Sequence, residues 1–401
     1  MSENHLENQR NEAALISAQQ WVEDFTTISK DKLVRGDTPA DIEARCLSLV
    51  QSYIGGSWAN ATSPADITVQ RISGGFTNQL YHVQLKESVP RAANPVYQDE
   101  EEPTEVAIKL YQSKHMKTYH ADDPERLNDT VVLNVMSQTG LGPKVYGIFA
   151  DGFIQAYHRH EQLRARHQAD PALRRQLMLL LAKIAHLQVP IRKTANVVLE
   201  TAGEYVAYGY EHFQVQALAE ELNLAHLKVT DIRAEHRELM GKIRQLNGPL
   251  VFSHYDFRGN NLMVVTNEKE NGNKKILSVD LEFACYGTRG YDLACIFLES
   301  GQAEFLDMAS PPPTDETLQE YVRLYIEACE EVVPGYSKLE INSFEQHLKE
   351  ARLMVLANKL FLVAFLIGQR EALIATVPLD RKKNLVRIGI FYCYIILYTL
   401  Y

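Results

Sequence analysis

The chain has 401 residues, more than a single compact core usually holds, so we expect two domains or lobes. Its formal net charge of −10 argues against nucleic-acid binding, which needs a basic surface, and weakly favours a cationic partner. The five cysteines are widely spaced and form no CxxC pair, which predicts neither a disulfide framework nor a zinc site and fits a cytoplasmic location.

The two ends of the chain differ in character. Residues 1–35 predict a polar helical extension whose start has neither the basic nor the apolar region of a signal peptide. The tail at 388–401 is apolar and aromatic, but it is shorter than the roughly 20 residues that a membrane-spanning helix needs. We therefore expect a buried terminal helix, with contact of this tail to a membrane as the alternative.

The N-terminal part of the chain has the patterns of β-structure. Residues 67–85 predict two strands joined by a turn, because β-branched and aromatic residues flank Ser73, Gly74 and Gly75. The elements predicted after this hairpin are an exposed acidic loop at 86–104, a strand at 106–111, a helix at 126–139 and two strands within 145–157.

Helical periodicity dominates from about residue 158 onward. The predicted elements are helices at 172–188, 199–225, 230–246 and from 316 to the end, with strands at 262–265 and 276–279. The stretch 353–367 is apolar on nearly every face, which predicts a central core helix. Together these patterns predict an α+β fold with a β-rich lobe at 1–155 and a mostly helical lobe at 156–401. This asymmetry is typical of the protein-kinase-like two-lobed fold, in which the β-rich lobe binds the nucleotide.

The segment VFSHYDFRGNNLMVV carries the most informative motif. His254, Asp256 and Asn261 have the HxDxxxxN spacing of a kinase catalytic loop, although this spacing alone also fits a polar loop beside a strand. Phosphoryl transfer needs a carboxylate near the acceptor hydroxyl and oxygen ligands for Mg²⁺. We therefore predict Asp256 as the base, Asn261 as a metal ligand and His254 as a brace for the loop.

A second acidic motif follows an apolar strand. Asp280 and Glu282 form a DLE sequence at the place where kinases carry their main metal-binding carboxylate. Asp280 is predicted to bind Mg²⁺ and Glu282 to bind a second ion, since such hard cations prefer oxygen ligands. The combination of both motifs with the intervening hairpin predicts a phosphotransferase, and no P-loop sequence is present.

A candidate ATP site lies in the β-rich part. Lys109 in VAIKLY has the sequence form of the lysine that reaches the α- and β-phosphates of ATP, although a solvated strand lysine fits as well. Its acidic partner is predicted to be Asp129, with Glu125 as the second candidate. The turn at 73–75 is predicted to cover the phosphates, because glycine lets backbone N–H groups approach them; a plain hairpin turn remains the alternative.

Several segments together resemble the choline/ethanolamine kinases between about residues 65 and 370. These segments are ISGGFTN, GLGPKVYGIF, SHYDFRGNNLM and VDLEFACYGTRGYDLACIFLE. The resemblance implies a Mg²⁺- and ATP-dependent enzyme, commonly dimeric, that phosphorylates choline or ethanolamine in the first step of the Kennedy pathway. It supports the roles given to Asp256, Asn261 and Asp280.

The resemblance also implies residues for the two substrates. The linker from Gln155 to Tyr157 would hold adenine, and Glu299 would line the amine pocket. Arg289 and Asp292 are expected to form a structural pair behind the metal site.

The chain departs from choline kinases at the cation cage. Leu362 and Phe365 stand where that family has two tryptophans, and Phe283 replaces a tyrosine; a further family tyrosine falls near Arg381 without a clear match. Each lost aromatic face removes about 2 kcal/mol of cation binding when the contact is desolvated. The acceptor is therefore expected to be ethanolamine, a related amine, or weakly bound choline.

Two other functions remain open on the sequence. One is a kinase for another small hydroxylated acceptor, such as an aminoglycoside, which Glu299 and the GTRGYDLA segment oppose. The other is a catalytically weak or inactive kinase-like binding protein, which the altered cage permits but Asp256, Asn261 and Asp280 oppose.

Overall fold

The backbone forms two compact units, one rich in strands and one mostly helical. Among the described residues, the first unit comprises those within 38–115 and 133–159, and the second those within 116–132 and 160–368. This confirms the predicted α+β class, while the lobe boundary at 155/156 stays a prediction. The computed structural model describes residues 38–72, 78–92, 97, 101–111, 125–193, 197–212, 215, 220, 231–267, 273–302 and 313–368.

A five-stranded antiparallel sheet forms the first unit, with the strand order β1-β2-β3-β5-β4. Alternate residues of β2 are buried, as expected for a sheet with one face against a core. The strands are β1 (Ile67–Ile72), β2 (Gln79–Leu85), β3 (Glu105–Leu110), β4 (Val145–Phe149) and β5 (Gly152–Ala156). Four of them lie within the segments from which strands were predicted, and β3 begins one residue before the predicted strand at 106–111.

Helix α1 (Ile42–Tyr53) and a following 3₁₀ turn cover this core. Trp58 is fully buried, and its indole N–H donates to the carbonyl of Pro103 at 2.7 Å. The carboxylate of Glu102 accepts the Ser57 N–H at 3.1 and 3.2 Å. The acidic loop, expected to be simply exposed, is therefore tied to the core at its C-terminal end.

The second unit is built around one long helix. The helices after β3 are α2 (Glu125–Gln138), α3 (Ala165–Ala169), α4 (Pro171–Ala185), α5 (Val197–His212), α6 (Ile232–Arg244), α7 (Tyr291–Glu299), α8 (Asp315–Val332) and α9 (Phe344–Gly368). Helix α9 packs against α5, α6, α7 and α8, which confirms the predicted core helix.

Two small sheets flank the segments in which the candidate catalytic and metal-binding residues were predicted. Strand β8 pairs with β6 on one side and with β9 on the other, and β7 pairs with β10. The pairing of β7 with β10 and the helix α7 that follows were not foreseen. The strands are β6 (His160–Gln162), β7 (Leu250–Ser253), β8 (Leu262–Asn267), β9 (Asn273–Ser278) and β10 (Cys285–Thr288).

A buried ion pair joins the start of α7 to α9. Arg289 and Glu350 are each about 1% exposed, and they meet through two bonds, Nε to Oε2 at 2.6 Å and Nη2 to Oε1 at 3.0 Å. Further guanidinium N–H groups donate to the Tyr336 hydroxyl, the Asn342 side-chain oxygen and the Ile341 carbonyl. The expected pairing of Arg289 with Asp292 is therefore wrong, because Glu350 satisfies Arg289.

Within the ranges given above, no helix is both long and apolar enough to cross a membrane. The predicted extension at 1–35 and the apolar tail at 388–401 lie outside the described residues.

Candidate active site

The loop from His254 to Asn261 connects β7 to β8 and is anchored at its start by a buried carboxylate. Asp292, in the first turn of α7, accepts the backbone N–H of His254 at 2.7 Å and that of Tyr255 at 2.9 Å. Burial raises the pKa of Asp292, although nearby His254 and these two N–H groups oppose the rise. Helix α7 thus fixes the backbone directly before Asp256.

His254 braces this loop internally. Its side chain is fully buried, its Nδ1 accepts the Asp256 N–H at 3.2 Å, and its Nε2 lies 2.9 Å from the carbonyl oxygen of Val279. Because Nδ1 accepts from Asp256, Nε2 is the ring nitrogen that donates to the Val279 carbonyl. The ring therefore links the loop from His254 to Asn261 to the segment that leads into Asp280.

Asp256 and Asn261 are in direct contact. The Asn261 Nδ2 donates to the Asp256 carboxylate Oδ2 at 2.6 Å and to the Asp256 carbonyl at 3.0 Å. Because both of these hydrogen bonds come from Nδ2, Oδ1 is the amide atom that the predicted metal-ligand role would use. The two residues predicted five positions apart as base and metal ligand are thus adjacent in space.

Asp280 is held beside them through the residue that precedes it. The N–H of Val279 donates to the carbonyl of Asn261 at 3.0 Å, while the Val279 carbonyl accepts from His254. Asp280 has φ 63° and Tyr255 has φ 61°, the two positive values found for non-glycine residues in the described segments. Such backbone costs about 1–3 kcal/mol per residue and concentrates at functional sites.

The chemistry of Asn261, Asp280 and Glu282 fits a magnesium ion. Mg²⁺ takes oxygen ligands, typically one or two carboxylates, and fills its other positions with waters and phosphate oxygens. Within the described residues, no group of three or more His, Cys, Asp or Glu side chains is arranged to hold a metal ion by itself. The role of this donor set in binding Mg²⁺ stays a prediction.

Glu299, predicted to bind the amine, lies at the end of α7 and touches the same loop. Its Oε2 accepts the N–H of Gly259 at 2.6 Å. Burial raises the pKa of Glu299, and the charge of Arg258 opposes that rise. Glu299 therefore supports the loop, and its contact with an amine stays a prediction.

The predicted cage residues lie on two elements of the second unit. Phe283, one residue after Glu282, packs edge-on against Phe361 of α9, with ring centroids 6.2 Å apart. Leu362 is half-buried on the same helix, whereas the side chain of Phe365 lies outside the described residues. The DLE segment and α9 are thus in contact.

Most of the predicted nucleotide-binding residues belong to the first unit. Lys109 lies on β3, with its Nζ 6.0 Å from the centroid of the Phe153 ring. Tyr157 stacks on His82 with centroids 3.8 Å apart, and Gln155 pairs with the backbone of β3. Asp129 is buried on the part of α2 that belongs to the second unit. The predicted turn of Ser73, Gly74 and Gly75 and the side chain of Glu125 lie outside the described residues.

Two further residues at the site were not assigned a part in it from the sequence. Asp292 was noted in the DLACIFLE segment but was given the wrong partner. Arg258 stands in the loop itself, and its Nε lies 2.6 Å from Asp256 Oδ1. An arginine two residues after a predicted base was the available signal.

Comparison with known proteins is consistent with this geometry. The family model for "Choline/ethanolamine kinase" matches residues 69–383. The human choline/ethanolamine kinase is 26% identical over 297 residues, covering 71% of this chain and 69% of that protein. The mouse protein of the same name is 25% identical over 263 residues, covering 65% of this chain and only 61% of the relative. The solved structure of an ethanolamine kinase from Plasmodium vivax superposes with a TM-score of 0.61 at 16% identity, covering 95% of each chain, which shows a shared fold.

Proposed function

The chain belongs to the choline/ethanolamine kinase family, and from this membership we propose that it transfers the γ-phosphate of ATP to the hydroxyl group of a small amino alcohol. The products would be phosphoethanolamine or phosphocholine, made in the first step of the Kennedy pathway. The observation that carries the proposal is one hydrogen-bond network that joins His254, Asp256 and Asn261 to Val279, the residue directly before Asp280.

Asp256 is the proposed base. It accepts the proton of the acceptor hydroxyl as the oxygen attacks the γ-phosphorus, and the bond from that phosphorus to the bridging oxygen of ADP breaks. The carboxylate is 22% exposed, which leaves it accessible to a small acceptor. A positioned general base typically contributes about 10²–10⁴-fold to such a step.

ATP and Mg²⁺ are the proposed cofactors. Asn261, Asp280 and Glu282 would hold the ion, which when bound neutralises charge on the phosphates. Lys109 is the proposed contact to the phosphates, and Gln155 and Tyr157 are the proposed contacts to adenine.

Ethanolamine is the proposed preferred acceptor. A quaternary ammonium has no N–H and depends on aromatic faces, whereas a primary ammonium donates three hydrogen bonds and can be held by a carboxylate. Leu362 and Phe283 give this chain fewer electron-rich rings than a choline cage needs, while Glu299 supplies a carboxylate.

A homodimer in the cytoplasm is the proposed state of the protein.

Release of ADP in the presence of choline, ethanolamine or an aminoglycoside tests this proposal. We expect turnover with both amino alcohols, a higher kcat/KM for ethanolamine, and none with the aminoglycoside. Turnover with the aminoglycoside alone would favour the second enzyme class, and ATP binding without any turnover would favour a binding protein.

Glu299→Gln tests the amine site more narrowly. The glutamine keeps an acceptor oxygen for the Gly259 N–H, so the loop should stay in place, but it removes the charge. We expect the KM for ethanolamine to rise about tenfold or more with little change in kcat, since charged hydrogen bonds contribute about 1.5–3 kcal/mol. An unchanged KM would remove Glu299 from the amine pocket.

A further inference from the structure

Arg258 is a charged residue of the proposed catalytic loop that has no assigned role in the proposed reaction. It stands two positions after Asp256, and its side chain is 26% exposed. Its Nε contacts Asp256 Oδ1 at 2.6 Å, while Asn261 Nδ2 contacts Oδ2 at 2.6 Å. Each oxygen of the proposed base therefore accepts from a donor of the same short loop.

The guanidinium also interacts with a second carboxylate. Burial opposes a charge on Arg258, but the charges of Asp256 and Glu299 outweigh it and raise its pKa, so Arg258 stays a cation. Glu299 in turn accepts the N–H of Gly259, the residue after Arg258. Arg258 thus contacts the proposed base directly and is also stabilised by the charge of a fixed acid on α7.

This arrangement restrains a side chain that would otherwise rotate. The terminal torsion of an aspartate has a broad, shallow profile, so a lone aspartate samples many carboxylate orientations. A guanidinium has planar N–H donors in a fixed arrangement and stays charged, whereas a lysine ammonium is a point charge on a flexible stem. Two donors on opposite oxygens fix the plane of the Asp256 carboxylate.

We propose that Arg258 is a positioning residue that holds the Asp256 carboxylate in the orientation in which it accepts the proton of the amino-alcohol hydroxyl. This inference rests on the proposed function. Because Arg258 acts on the base, its loss should slow the transfer step rather than weaken the binding of amine or ATP. A misplacement of about 1 Å at a reacting group costs about a hundredfold in rate.

Steady-state kinetics of Arg258→Gln and Arg258→Lys test this role. The matched control is Arg175→Gln, which removes the same charge and breaks another short ion pair, that of Arg175 with Glu331 on the surface. Rates are expressed per nucleotide-binding site, titrated with a non-hydrolysable ATP analogue, so that unfolded protein does not count.

We expect Arg258→Gln to lower kcat by about 10- to 100-fold, with both KM values within about threefold of the parent. Arg258→Lys should recover part of this loss, because it restores a cation but not the planar fork. Arg175→Gln should match the parent.

Three results would overturn the inference. They are a kcat for Arg258→Gln within about threefold of the parent, a change confined to the KM for the amine, and equal losses in the glutamine and lysine variants. A parent protein that binds the ATP analogue but turns over no amino alcohol would instead refute the proposed function, and the inference with it.

Discussion

Gly259→Ala is the substitution for which the structure gives the most direct estimate. Gly259 is buried in the catalytic loop, and an added Cβ would lie 2.2 Å from the carbonyl oxygen of Leu163 and 3.2 Å from Glu299 Oε2. Carbon and carbonyl oxygen normally approach no closer than about 3.3 Å, so one of the two must retreat by roughly 1 Å. The Leu163 backbone is held, because its N–H donates to the carbonyl of Leu262 at 2.9 Å.

The loop is therefore expected to move, and Asp256 and Asn261 lie on either side of the substituted residue. A shift of about 1 Å at the base corresponds to about a hundredfold loss in kcat. Overpacking of this kind also lowers the free energy of unfolding by about 1–3 kcal/mol. The assays are ADP release with ethanolamine and unfolding in urea.

Gly241→Ala is the matched control. Gly241 lies inside α6, and an added Cβ would meet no atom within 4 Å. This variant should gain about 0.4–1 kcal/mol of stability and keep the parent kcat. If Gly259→Ala had the parent kcat as well, the reasoning that close packing of this loop positions the base would be refuted.

Two further predictions concern stability. Glu350→Gln leaves the charge of Arg289 buried and unpaired, so it should lower the free energy of unfolding, measured in urea, by about 3–5 kcal/mol. Asp315→Asn breaks the exposed pair with Arg352 and should lower it by less than about 1 kcal/mol. Equal losses in the two variants would contradict this prediction. Lys359 is 6% exposed, and burial lowers its pKa to about 8 from 10.5. Between pH 8 and 10.5 the unfolded chain binds more protons than the folded protein, so the free energy of unfolding should rise with pH. Lys359→Met should abolish this slope and raise the free energy of unfolding at pH 7 by on the order of 3 kcal/mol. A variant that kept the parent's pH slope would show that Lys359 is not its source.

Local patterns were sufficient to predict most of the elements. The alternation around residues 67–85 gave β1 and β2, because a sheet with one buried face imposes a period of two on its own sequence. The apolar stretch 353–367 gave the core helix α9 for a different reason, because a helix that is apolar on nearly every face must be buried on all sides. The loop from His254 to Asn261 was selected as a candidate catalytic loop because phosphoryl transfer needs a carboxylate and metal ligands within reach of one another.

The partners of the loop could not be predicted, because they depend on contacts between distant segments. Asp292 lies near Arg289 in sequence, which suggested that the two pair. In the fold, Arg289 instead meets Glu350, 61 positions along the chain, and Asp292 turns to the backbone of His254. No period or spacing in the sequence reports such a choice, since it follows from how α7 and α9 pack.

The kcat of Asp256→Ala with ethanolamine tests the central claim most directly. Nucleotide binding is measured in parallel with an ATP analogue, and Asp315→Ala, the loss of an acid on the surface, is the control. The account predicts that nucleotide binding survives while kcat falls by about 10²-fold or more, and that the control keeps the parent rate. A variant that binds nucleotide and still phosphorylates ethanolamine at the parent rate would contradict it.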